Sequence, residues 1–206
     1  MIAVVDYGAG NLGSVDKALR YLGVPAQVTA DPGVVRSADA VILPGVGAFQ
    51  HCMSGLQVRM LQEPVLEVIR SGRPFLGICI GMQMLFSWSE EGGHVPGLDV
   101  IAGAVRRFPV SVSGRRLKVP HMGWNTLELV KECPLFVGLP ERPRVYFVHS
   151  YYCEPADGDV VAARTDYGIS FCSALQRENI FAVQFHPEKS GAVGLEVLRN
   201  FVALSS

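Results

Sequence analysis

Apolar positions along the first half of the chain fall into two alternating periods. Residues 2–6 read as a short buried strand, after which Val15, Ala18, Leu19 and Leu22 share one face of a helix that Gly23 stops. Residues 26–30 and 40–43 are short apolar runs of the kind buried in parallel sheets. A helical stretch over residues 51–70 leads into another apolar strand at 75–78. This alternation predicts an α/β fold, an open and mostly parallel sheet flanked by helices and joined by right-handed crossovers. From about residue 98 the period changes. Residues 105–112, 115–119, 144–149, 160–163 and 169–176 read as strands separated by turn signals, which predicts an additional, mostly antiparallel sheet. Residues 180–185 and a helix over 195–204 return the chain to the α/β layer. No repeat or linker intervenes, so one domain over residues 1–206 is expected.

Composition narrows the class without naming it. At 206 residues and 49% hydrophobic content the chain can bury one sizeable core. A net charge of −1 gives no reason to expect nucleic acid or an anionic membrane surface. The five cysteines are odd in number and widely spaced, with no CxxC pair, so neither a disulfide framework nor a zinc knuckle is indicated. Residues 1–6 lack a basic flank and are too short for a signal peptide. No apolar run approaches the ~20 residues of a membrane span. A cytoplasmic protein needing no metal or cofactor is the expectation.

The candidate chemistry begins at Gly77-Ile-Cys79-Ile-Gly81. Glycines two residues either side of a cysteine, after an apolar strand and before a helix, form a G-x-nucleophile-x-G elbow. Such a turn should stand the thiol exposed at a helix N-terminus, where a free cysteine's pKa of about 8.5 falls towards roughly 3.5–7.5. A buried core cysteine is the plain alternative. Near the other end, the apolar strand Ile180-Phe-Ala-Val-Gln-Phe runs into His186-Pro187-Glu188-Lys189-Ser190. Pro187 blocks further pairing, and Ser190 can cap the last helix. A thiol nucleophile needs a base that later returns the proton, and the base needs a partner to fix its tautomer. Extended backbone projects Glu188 from the same face as His186, so Cys79, His186 and Glu188 form a candidate triad. A structural His-Glu pair is the alternative.

With these motifs the chain resembles the class I, triad-type glutamine amidotransferases. Asp6-Tyr-Gly-Ala-Gly-Asn-Leu12, Leu43-Pro-Gly-Val-Gly-Ala48 and Pro120-His-Met-Gly-Trp-Asn125 resemble one branch of that family, glutaminase subunits serving histidine biosynthesis. The likeness runs from Ile2 to the last helix. It implies hydrolysis of L-glutamine to glutamate and ammonia through a cysteine thioester. It also implies a heterodimer with a (β/α)8-barrel cyclase that uses the ammonia to form imidazole glycerol phosphate and aminoimidazole carboxamide ribotide.

An acyl transfer needs donors for the oxyanion, each worth about 10²–10³ in rate. The Ile80 amide, directly after the nucleophile, is one candidate. The Pro44-Gly45-Val46-Gly47 turn is the other, and the resemblance assigns the donor there to the Val46 amide, with Gly47 beside it. Gln83 lies one helical turn after Cys79 on the same face. The resemblance implies glutamine contacts at Gly45, Gln83, Ser150 and Tyr151, and synthase contacts at Asn11, Trp124, Tyr146 and Lys189. Read plainly, Gln83 is a surface helix residue, Trp124 and Tyr146 core aromatics, and Lys189 a solvated charge.

Rival readings remain at this stage. Gly8-Ala-Gly10-Asn-Leu-Gly13 matches the dinucleotide fingerprint G-x-G-x-x-G, with Asp31 where a ribose-binding acid would sit. Against it, Asp6 would face the pyrophosphate, and Cys79, His186 and Glu188 would have no task. Glutaminases feeding anthranilate, aminodeoxychorismate or pyridoxal phosphate synthesis share the triad but not D-Y-G-A-G-N-L with P-H-M-G-W-N. A cysteine hydrolase of the same fold acting on other amides would turn over without a partner.

Overall fold

A computed structural model describes residues 1–205. Its first half alternates strand and helix as the apolar periods predict. β1 (Ile2–Val5), α1 (Leu12–Tyr21), β2 (Ala26–Thr29), α2 (Pro32–Ser37) and β3 (Ala40–Gly45) follow in turn. Then come α3 (Phe49–Val58), α4 (Gln62–Arg70) and β4 (Phe75–Cys79). β1, β3 and β4 are buried along their whole length, which is why they read as unbroken apolar runs. β2 instead lies at the sheet edge with Gln27 and Val28 exposed, so the buried strand expected there is half open to water. The single helix expected over 51–70 is two. Met60 turns to φ 55° and Leu61 N–H returns to the Leu56 carbonyl at 2.9 Å, closing one helix before the next begins. Asp31 caps α2, its Oδ1 accepting from the Gly33 and Val34 amides at 2.7 and 3.3 Å.

After the elbow the helix is one turn, α5 (Ile80–Gln83). It is followed by two strands the apolar pattern did not reveal, β5 (Phe86–Ser89) and β6 (Val95–Pro96). β7 (Ile101–Arg107) and β8 (Ser111–Val112) replace the single strand over 105–112, and Pro109, which has no N–H to give a ladder, lies in the gap. β9 (Arg115–Arg116) is the short remnant of the strand over 115–119. β10 (His121–Thr126), also unforeseen, precedes β11 (Glu128–Leu129), β12 (Arg144–His149) and β13 (Tyr151–Pro155). β14 (Val161–Asp166), β15 (Ser170–Arg177), β16 (Ile180–Val183) and α6 (Gly191–Ala203) complete the chain.

Twelve strands share one sheet. Its parallel half runs β2-β1-β3-β4-β16, and the antiparallel strands β15, β13 and β7 extend it without a break. The separate antiparallel layers are small, the ribbons β10–β12 and β8–β9. The α/β class therefore holds, with most of the later strands joined edge-on to the first sheet. α1 packs against α6 and α2 against α4, the arrangement that right-handed crossovers from this strand order produce.

One close approach holds the centre together. A Cβ at Gly81 would run into the Leu43 carbonyl oxygen, and one at Gly77 would lie 2.7 Å from the Gly81 carbonyl oxygen. Gly13, by contrast, has nothing within 4 Å of where its Cβ would be. Gly81→Ala should therefore cost more than about 4 kcal/mol and leave little folded protein. Gly13→Ala should be neutral or stabilise by up to about 1 kcal/mol through helix propensity. Urea unfolding of the two variants checks this, and a cooperative, native-like transition for Gly81→Ala would contradict the packing described.

Candidate active site

Three neighbouring parallel strands deliver the chemistry at their C-terminal ends. Gly45 pairs with Cys79 across β3 and β4, and Ile78 pairs with Val183 across β4 and β16. The segments that follow are Val46–Gly47, Cys79–Ile80 and, three residues beyond β16, His186. In open α/β sheets this rim is where ligands bind. Cys79 has φ 56°, outside the range a non-glycine residue prefers and a strain of about 1–3 kcal/mol. Its side chain is not exposed, as the elbow motif suggested, but buried at 3% relative exposure. The reason is the antiparallel extension, which brings Ser150 and Tyr151 over the elbow. The thiol opens instead into a cleft of about 280 Å³ with His186, Gln83, Ile80, Val46 and Gly47 on its walls.

His186 is held from both sides. Its backbone N–H donates to the Tyr146 carbonyl at 2.9 Å, and Ser190 Oγ donates to the His186 carbonyl at 2.6 Å while accepting from Tyr146 N–H at 2.9 Å. Ser190 thus braces the His-Pro-Glu turn, and its side chain does not cap α6 as the sequence suggested. Nδ1 of His186 lies 2.8 Å from Glu188 Oε1, with both side chains 1% exposed. A carboxylate can only accept, so Nδ1 carries the proton and Nε2 is left for the cleft. That Nε2 is buried and closes no hydrogen bond. Burial opposes charge on the ring, but Cys79 and Glu188 outweigh it and hold the imidazolium well above the ordinary histidine range. For Glu188 burial works upward, yet His186 and then Asn11 keep its carboxyl below the usual value. Asn11 Nδ2 donates to Glu188 Oε1 at 3.1 Å. Asn11 spends its side chain on the carboxylate and not on capping α1, although it occupies the cap position.

The glycine turn is braced from behind. Tyr7 OH donates to the Pro44 carbonyl at 2.7 Å, and Cys52 Sγ donates to the Val46 carbonyl at 3.5 Å. Gly47 has φ 99° and lines the cleft together with Val46 and Ile80. Gly45 does not reach the cleft wall. A Cβ there would meet Ile80 Cβ and Tyr7 OH at 2.7 Å, so its place in the site is a packing one.

Gln83 is buried at 1% exposure, contrary to its plain reading as a surface residue. Its Nε2 donates to the Tyr151 carbonyl at 3.1 Å and to Gln184 Oε1 at 3.0 Å, leaving Oε1 buried and unpartnered. Gln184 was missed by the sequence reading. It is fully buried, and its Nε2 lies 3.7 Å from Cys79 Sγ. A polar residue inside the apolar run Phe-Ala-Val-Gln-Phe was the available signal. Glu91 and His149, also on the cleft wall, were missed too. Glu91 accepts from the Phe49 amide at 2.8 Å, while its neighbour Glu90 pairs with Arg106 at 2.7 Å, and nothing in their adjacent positions separates the two tasks.

Trp124 is half exposed and meets Tyr146 edge-on at 6.3 Å, so it is not a core aromatic. Lys189 is exposed, and a Cβ on Gly191 would lie 3.9 Å from the Trp124 ring. Trp124, Tyr146 and Lys189 therefore gather around the His-Pro-Glu turn. Among the described residues no helix is long and apolar enough to cross a membrane.

The sequence matches the family Glutamine amidotransferase class-I over residues 3–204. It is 54% identical over 203 residues to the imidazole glycerol phosphate synthase subunit HisH of Syntrophotalea carbinolica, covering 98% of each chain. The HisH of Geobacter sulfurreducens is also 54% identical, over 202 residues and 97% of each chain. Among solved structures, a glutamine amidotransferase superposes with TM-score 0.76 at 20% identity, covering 100% of this chain and 99% of that one. PurLQS from Thermotoga maritima gives 0.71 at 16% identity over 98% and 97% of the two chains. At such identities these structures speak for the fold alone. The chain belongs to the class-I glutamine amidotransferase family, in the branch it shares with the HisH relatives.

Proposed function

We propose that this chain, one amidotransferase domain, is the glutaminase subunit of an imidazole glycerol phosphate synthase. The observation that carries the reading is the free Nε2 of His186, aimed into the Cys79 cleft with Glu188 holding the opposite nitrogen. The Cys79 sulfur, its proton already held on the His186 imidazolium, attacks the side-chain amide carbon of glutamine. The oxyanion is received by the Ile80 and Val46 amides, with Gly47 giving that turn its freedom. The carbon–nitrogen bond then breaks, and the imidazolium returns the proton to the departing ammonia. A γ-glutamyl thioester remains. Water activated by His186 adds to it, and release of the thiol gives glutamate.

Substrate selection falls to the cleft walls. The unpartnered Gln83 Oε1 accepts from a donor on the substrate, and the Glu91 carboxylate suits an α-ammonium group. Ser150 and Tyr151 close the other side. The partner is a (β/α)8-barrel cyclase that takes the ammonia before water protonates it, docking on the face where Asn11, Trp124, Tyr146 and Lys189 gather. Five free cysteines, one of them the nucleophile, suit a reducing cytoplasm.

Glutamate release from glutamine, measured for the chain alone, with the cyclase, and with cyclase plus its ribonucleotide substrate, tests this reading. Little turnover alone and strong activation by the liganded partner are expected, whereas partner-independent turnover would leave only the triad. In the complex, Cys79→Ala should lower glutamine-dependent turnover at least about 10⁴-fold, with ammonia-driven synthesis retained. Retained glutamine use would sink the assignment of Cys79.

Glu188→Gln should cost about 10²–10⁴-fold in kcat, because the ring loses its fixed tautomer and the anion that supports its charge. The same change lowers the proton affinity of His186. The alkaline limb of the kcat profile, where the proton for ammonia is lost, should therefore move to lower pH. An unshifted limb would argue that Glu188 does not act through His186.

A further inference from the structure

A line of hydrogen bonds, exposed at its outer end and buried towards the cleft, leads from β10 to the nucleophile, and the fixed polarity of the backbone sets its direction. At the outer end, Asn125 Oδ1 accepts from the Thr126 amide at 2.8 Å, and Nδ2 donates to the Asp166 carbonyl at 2.9 Å. These two anchors leave no freedom to flip the amide. Its Nδ2 also lies 3.2 Å from His121 Nε2, which must therefore be the unprotonated nitrogen. At the inner end, His149 Nδ1 lies 2.7 Å from the Tyr151 carbonyl, which can only accept, so that nitrogen carries the hydrogen. Between them, His121 Nδ1 donates to His149 Nε2 at 2.9 Å. Both rings are then neutral and protonated on Nδ1.

The direction continues to the sulfur. The Tyr151 carbonyl also accepts from Gln83 Nε2 at 3.1 Å, which fixes that amide in turn. Gln83 Nε2 donates to Gln184 Oε1 at 3.0 Å, so Gln184 presents its NH₂ to Cys79 Sγ at 3.7 Å. Every orientation follows from a backbone group at one end or the middle. One consequence is that Oε1 is the unpartnered atom of Gln83, a residue on the cleft wall.

We propose that His121 and His149 are positioning residues of the glutaminase site, forming with Asn125, Gln83 and Gln184 a one-way relay that transmits the placement of strand β10 to the substrate acceptor and the nucleophilic sulfur. The proposal rests on the glutaminase reading of that site. Three features support it. His121 and His149 are cross-strand partners in β10–β12, so a shift of β10 moves the link directly. Alternation along β10 turns His121 and Asn125 inward while Met122 and Trp124 are 60% and 50% exposed, so one strand carries the relay on one face and an open apolar face on the other. Burial also pulls His121 down to about 4 and His149 to about 3, which keeps both rings neutral at physiological pH.

The pair sits among Phe108, Phe147, Phe171 and Tyr167, and His121 stacks on Phe147 and Tyr167 at 4.8 and 4.1 Å. His121→Phe therefore preserves the packing and deletes the relay, whereas His121→Asn keeps a donor where Nδ1 was. In the complex with its cyclase, His121→Phe should lower kcat for glutamine about tenfold, through misplacement of the reacting groups, while ammonia-driven synthesis is unchanged. His121→Asn should recover most of the loss. Nitrogen NMR of the native chain should find both histidines neutral and Nδ1-protonated down to pH 5. A native kcat in His121→Phe, no recovery in His121→Asn, or an Nε2-protonated ring would each overturn the relay. Absence of glutamine turnover in the unaltered complex would instead refute the glutaminase reading, and the tautomers would still decide whether the bonds run as described.

Discussion

The passage of Gly81 over the Leu43 carbonyl fixes how near the elbow can come to its neighbouring strand, and the site follows from that distance. Because β3, β4 and β16 are parallel neighbours, their C-terminal ends lie side by side. The segments leaving them bring the Val46–Gly47 turn, the Cys79–Ile80 elbow and the His-Pro-Glu turn to one rim. A side chain at Gly81 would push α5 away and carry the Ile80 amide with it. The positive φ at Cys79 is the local strain of so tight a reversal, and it persists because β4 around it is fully buried.

Burial of the site then sets its electrostatics. His186 and Glu188 lie almost out of contact with solvent, and in such surroundings unpaired charges would be costly. Each therefore appears with the other, and the pair shifts both groups towards their charged forms. Four buried side-chain atoms among the described residues lack a protein partner, against the rule that buried polar groups are satisfied, and besides Ser173 Oγ and Glu188 Oε2 they include His186 Nε2 and Gln83 Oε1. The last two belong to residues on the wall of the same cleft. Such atoms are tolerated where a ligand completes them, so these two mark where a molecule bound in the cleft would close hydrogen bonds.

The parts of this arrangement that were legible in the sequence are those encoded locally. Strand–helix alternation carried the parallel half, since each buried strand must be apolar on both faces. The elbow glycines and the His-x-Glu spacing carried the candidate triad, since each needs only its own few residues. What was not legible is held by contacts across the chain. Gln83 and Gln184 are far apart in sequence, and only the register of the sheet shows that they share a hydrogen bond. β10 escaped the pattern because the residues it turns inward are His121, Gly123 and Asn125, a polar set that reads as a loop. The long helix over 51–70 failed for a local reason, a left-handed turn at Met60 that no glycine announces.

The glycine-rich loop after β1 shows how a motif can be matched by letters and contradicted by geometry. In a dinucleotide fingerprint the third glycine allows close packing of helix on strand. Here Gly13 has open space around it, so that position does not need to be glycine. Asp31 is occupied in capping α2, and Asp6 Oδ1 accepts from the Gly8 amide at 3.0 Å, placing a carboxylate inside the loop that would have to cradle phosphate. The two glycines that do matter are Gly8 and Gly10, with φ of 90° and 127°. They turn the backbone sharply enough to bring Asn11 against Glu188, across 177 positions of sequence. The loop's conformation is thus explained by the Glu188 carboxylate it supports, and a docking partner that moved this loop would reach His186 through two hydrogen bonds in series, Asn11 to Glu188 and Glu188 to His186.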